Sequence, residues 1–188
     1  MDERRKFVSD WFNRAQESMD DFEKFIFLWL CLIIVLKAWS GNNGIRPNST
    51  EEPSDGWYVN KYFSHRYSCD EVIQIFENHP NHRKLATRKS ASGDYVVSSS
   101  QDDTGYFSEL YKHFKSQAPM TTERKSAAIG RLLKAIRNNL FHGEKLYDSS
   151  DDLALLALAA PLLEAYVVDA AMREIGLDLL ITDSPNDR

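Results

Sequence analysis

Arg137 and His142 stand five positions apart in "IRNNLFHGEK", residues 136–145, with Asn138 directly after the arginine. Arginine carries a permanent charge on a planar fork of donors, which suits it to hold an oxyanion. Histidine is the side chain that exchanges a proton near neutral pH. On a helix, five positions separate two side chains by about 140° in projection, so the pair flanks a shared surface with Asn138 between them. Gly143 supplies the left-handed conformation that commonly ends a helix. That places His142 in the last turn, where terminal carbonyls favour a protonated imidazole.

The element that must position these residues is a long helix expected from about Thr122 to His142. Advancing about 100° per residue gathers Ala128, Ile129, Leu132, Leu133, Ile136 and Leu140 into an apolar stripe that faces the core. Arg124, Arg131, Lys134, Arg137, Asn138 and His142 fall on the other half, with Ala127 and Gly130 among them. That half reads as basic, polar and sterically open. On spacing alone it also fits a solvated outer face whose histidine merely caps the helix end.

The string "RNNLFH" resembles the RxxxxH motif, with a polar residue after the arginine, of the HEPN superfamily. The apolar and aromatic helices near the N-terminus, "HGEK" after the motif and the following "DDLALLALAAPLLEAYV" are similar to that family's usual order. The resemblance spans most of the chain outside an insertion at about residues 79–105. It implies an all-α, HEPN-like helical bundle of four to five core helices, with short helices and the insertion, that dimerises. It further implies a metal-independent endoribonuclease, a toxin or antiviral defence effector, in which Arg137 and His142 are the catalytic pair and Asn138 supports them. Pairs from two subunits would meet in one composite site, and Ala127 and Gly130 would let the two helices approach closely.

Those residue types fit the chemistry so implied. Attack by a ribose 2′-hydroxyl requires proton transfer and stabilisation of a phosphorane's extra negative charge, which an imidazole and a guanidinium supply. The products would be a 2′,3′-cyclic phosphate and a 5′-hydroxyl end, with no metal and no cofactor. Arg131, Lys134 and Arg124 are candidates for holding RNA phosphates; exposed helix cations serve solubility equally well. The expected partners are an RNA substrate, a second copy of the chain and a neutralising antitoxin protein. A HEPN fold that binds a nucleotide or a protein without cleaving anything is the alternative, because fold does not dictate activity. A helical protein unrelated to that family, with a basic outer helix, is a third reading.

Composition sets the frame. The 188 residues fit one domain, 1–188, and the 43% hydrophobic content with 27% charged residues is that of an ordinary folded protein. The net charge of −5 gives no general footprint for nucleic acid, so any such binding must be local. Cys31 and Cys69 form no CxxC pair, which points to a reducing, cytoplasmic setting, with Cys31 a small core hydrophobe. The apolar run "FIFLWLCLIIVL", residues 25–36, falls short of a membrane crossing and reads as a helix buried on nearly all sides.

Around it, Phe7, Trp11 and Ala15 mark the inner face of a first helix, and short helices fit "WYVNKYFSHR" and "SCDEVIQIFENHP". The Ser-, Gly- and Asp-rich stretch from His79 to Gly105 reads as an exposed insertion. Phe107, Leu110, Tyr111 and Phe114 share one side of a later helix. The last long helix, about 151–175, is either kinked or restarted at Pro161. Helical spacing dominates throughout, so an all-α bundle is the natural architecture, with this helix and the one before it expected to pack antiparallel. His79 and His82 lack the partners of a zinc site, and His113 reads as exposed or hydrogen-bonded. No nucleophilic triad or glycine-rich phosphate loop is present.

Overall fold

The apolar run organises the fold because it needs covering on several sides. It lies in α2 (Asp21–Asn42), started by the Asp20 carboxylate, whose Oδ1 accepts from the backbone N–H of Phe22 at 2.7 Å and of Glu23 at 3.4 Å. In the computed structural model, which describes residues 2–47, 53–65, 69–87, 106–141 and 150–179, α2 is buried on nearly every face. The side chains of residues 65, 69, 106, 107, 139, 141 and 150–152 lie outside the described part.

Helix α1 (Glu3–Glu17) covers one side of α2 through Val8, Phe12 and Ala15. Of the expected inner row Ala15 is buried, but the first two positions were one residue off. Phe7 is exposed and Trp11 half-buried, because the row beginning at Val8 meets α2. Trp11 instead sits on the rim, tilted against Phe7 and Phe27 and beneath the Arg14 guanidinium at 4.9 Å from the ring centre. Cys31 is buried, its thiol pushed up to about 12 by desolvation, in keeping with a packing role.

The remaining elements among the described residues are also helices: α3 (Asp55–His65), α4 (Cys69–Asn78), α5 (His82–Thr87), α6 (Tyr106–Ser116), α7 (Thr122–Phe141) and α8 (Ser150–Ile175). The protein is all-α, with no strand among the described residues. Helix α8 runs unbroken through Pro161, which lies on an exposed side of it. Leu153–Ile175 is long and apolar enough to cross a membrane by length and composition, and 56% of its most apolar window is buried inside the protein.

Two further expectations need correcting. Helices α7 and α8 are not the main antiparallel pair: α8 lies chiefly on α2, while α7 lies on α3 and α4. The two most apolar helices bury more surface against each other than against the half-polar α7. The stretch expected to be an exposed insertion from residue 79 begins with structure, since α5 buries Leu85 and Ala86 and packs on α6 and α8. Residues 88–105 lie outside the described residues.

Candidate active site

The N-terminal turn of α3 and the C-terminal half of α7 form the candidate site. Ser54 caps α3, its hydroxyl accepting from the Trp57 N–H at 3.3 Å, and Asp55 and Gly56 follow in the first turn. An acidic residue is favourable there because the unpaired amides leave the helix end positive. Asp55 Oδ2 accepts from the Trp29 indole N–H at 3.3 Å and pairs with Arg137 Nη2 at 3.4 Å. The same guanidinium donates through Nη1 to Asn138 Oδ1 at 3.2 Å. Side chains from α2 and α7 thus meet on the Asp55 carboxylate of α3, and Arg137 keeps 26% of its side-chain surface exposed.

Lys134 reaches the same turn. A Cβ on Gly56 would collide with its Cδ and Cε, so the lysine stem lies directly across that glycine. Arg137, Asn138 and Lys134 are therefore brought together, and Arg131 stands one turn before Lys134 on the same half-buried edge of α7. Arg124 is elsewhere. Thirteen residues of helix put it about 20 Å away along the axis, and its guanidinium forks onto both oxygens of Glu109 at 2.6 Å. That hydrogen bonding holds the Glu109 carboxyl below its ordinary value, outweighing the rise from desolvation. His142 follows directly after α7 and lies outside the described residues.

The half of α7 that carries the cations is less open than its composition implies. Ser126 is buried and donates its hydroxyl to the Phe63 carbonyl at 2.7 Å. A Cβ on Gly130 would fall 2.9 Å from Phe63 Cγ. Gly130 therefore serves the approach of α3 to α7 within one chain rather than an approach between two copies. On that half Ser126 and Gly130 are closed off, while Arg124, Ala127, Arg131, Lys134, Arg137 and Asn138 stay partly exposed.

No family model, curated protein or solved structure matches this chain. The site therefore rests on its own geometry. Asp55 and Trp29 are the members that sequence reasoning missed. The "SDG" at residues 54–56 reads as the end of a Gly/Pro-rich loop, yet the same letters are a capping serine and a first-turn acid, which is the signal that would have placed a helix start there.

Proposed function

We propose that this chain is a metal-independent endoribonuclease of the HEPN type, working as a homodimer in the cytoplasm as a toxin or antiviral effector. The observation that carries the reading is the held but partly exposed Arg137 guanidinium, five residues before His142 in "RNNLFH". Asn138 and Asp55 engage different guanidinium nitrogens, so the fork is oriented before any phosphate arrives, and charge stabilisation by such a group needs little reorganisation. In this reading His142 accepts the 2′-hydroxyl proton and returns one to the leaving 5′-oxygen. Lys134 and Arg131, on the same edge of α7 as Asn138, hold the flanking phosphates, whereas Arg124 lies about 20 Å along the axis from Arg137.

The test is RNA cleavage by purified protein with a chelator present, beside His142→Ala and Arg137→Ala. Cleavage that persists with chelator and falls about 10²–10⁴-fold in either variant supports the enzyme. Intact RNA with well-folded, dimeric protein rejects it.

The Trp29–Asp55–Arg137 contact also favours a second reading, in which Arg137 ties α3 to α7 and the chain is a non-catalytic binding or assembly module. In that case Arg137→Ala lowers stability and changes no activity on RNA.

A further inference from the structure

A separate cavity of about 490 Å³ opens where α4, α5 and α6 meet, and it is within the size range of small-molecule sites. Two imidazoles line it. His82 Nδ1 lies 2.7 Å from the His79 carbonyl, and His113 Nδ1 lies 2.9 Å from the Ala118 carbonyl. A carbonyl only accepts, so both rings carry their hydrogen on Nδ1 and leave Nε2 for another partner. Phe114 fixes both rings edge-on, with centroid distances of 5.4 and 5.0 Å.

The charge around these rings is one-sided. Glu77 is matched by Lys125 at 3.0 Å, whereas Arg83 and Lys115 have no ion-pair partner among the described residues. The described lining thus carries a net positive charge in a chain of net charge −5. The rim also holds Gln117, the one non-glycine residue among the described residues with a left-handed backbone, at φ 55°. It closes the end of α6, where the Ala118 N–H bonds back to the Lys112 carbonyl at 3.4 Å. A side chain held in that unfavourable conformation is a feature that recurs at ligand sites.

From these contacts we infer that the cavity binds a terminal phosphate group, held by Arg83, Lys115 and the Nε2 atoms of His82 and His113. Guanidinium and ammonium groups supply the charge, and each Nε2 accepts from a phosphate P–OH in the neutral ring or donates to a phosphate oxygen in the imidazolium. A metal ion fits less well, since no group of three or more His, Cys, Asp or Glu suited to one occurs among the described residues. Helices α4 and α6 present their carbonyl ends here, so side chains rather than helix amides must hold the anion. The site is independent of the RNA-cleavage reading.

The test is NMR of the histidine imidazoles during titration with inorganic phosphate, ribose 5-phosphate, ribose, and a short RNA carrying either a 5′-phosphate or a 5′-hydroxyl. Phosphate should shift the His82 and His113 signals, and Arg83→Gln with Lys115→Gln should weaken binding at least about tenfold. Both substituted residues are exposed, so circular dichroism should stay unchanged. Tighter binding of ribose 5-phosphate than of phosphate would identify a small phosphorylated ligand, and preference for the 5′-phosphate RNA would identify a nucleic-acid end. No shift at about 10 mM phosphate, equal affinity in the double variant, or equal binding of each phosphorylated compound and its hydroxyl counterpart would overturn the site.

Discussion

The carboxylate of Asp55 meets the guanidinium of Arg137 at 3.4 Å across the junction of α3 and α7, and the same oxygen accepts the Trp29 indole N–H at 3.3 Å. One acidic atom at a helix start therefore orients the arginine that the RNA reading requires. Asp55→Asn keeps an acceptor for Trp29 but removes the charge, and the pair is partly open to solvent. The stability loss should be about 0.5–1 kcal/mol, while cleavage should fall about 10- to 100-fold through a misplaced guanidinium. Denaturant melts and cleavage rates on the same samples check both. An active wild type with equally active Asp55→Asn would remove the orienting role without touching the assignment of Arg137.

Two glycines make opposite predictions. Gly130→Ala pushes a methyl against the ring of Phe63, which is packed in the core and cannot swing away. Overpacking costs about 1–3 kcal/mol, offset in part by about 1 kcal/mol of improved helix propensity. Gly56→Ala meets only the flexible stem of Lys134, which can move. It should be neutral or stabilising by up to about 1 kcal/mol. Thermal melts should place Gly130→Ala below wild type and Gly56→Ala at or above it.

A buried acid holds the other side of the bundle. Glu164, 6% exposed on α8, accepts from Gln16 Nε2 on α1 and pairs with Lys24 Nζ on α2, each at 2.9 Å. Glu164→Ala leaves the lysine facing a cavity and should cost about 2–3 kcal/mol, somewhat less than a fully buried pair because Lys24 is partly exposed. Glu164→Leu replaces the charge by an apolar group of similar size and should cost less than the alanine. The order of the two unfolding midpoints decides the matter.

Stability should also rise with pH across the histidine range. Burial, and then the neighbouring His82, lower the pKa of His79 below its ordinary 6.5. Its Nδ1 accepts from the Asn81 N–H at 3.3 Å, which requires a lone pair there. The unfolded chain then binds the proton more readily than the folded one. The contribution of His79 is complete above about pH 6.5 and is lost as pH falls through the lowered folded value. His79→Asn should flatten this part of the stability–pH curve, and an unchanged slope would contradict the assignment.

The α7 register illustrates how far the linear chain reaches. Its 3.6-residue spacing correctly separates Ala128, Ile129, Leu132, Leu133 and Ile136, all buried, from Arg131, Lys134 and Asn138 on the outer edge. Periodicity within one helix needs no knowledge of partners, and the same reasoning placed the buried run of α2 and the all-α class. It failed for Gly130 and for the Phe7 row, where the polar or aromatic character of neighbours hid which side another helix would take.

The order of side chains along each helix, and so the placing of Arg137 and Asn138 on α7, was determined by the sequence itself, because helix geometry is local. Which helix lies opposite was decided only in three dimensions. The all-round apolarity of α2 drew α8 to it, left α7 to α3, and so brought Asp55 against Arg137, 82 positions away in the chain. A contact of that separation is set by competition among buried surfaces, and no stretch of sequence records it.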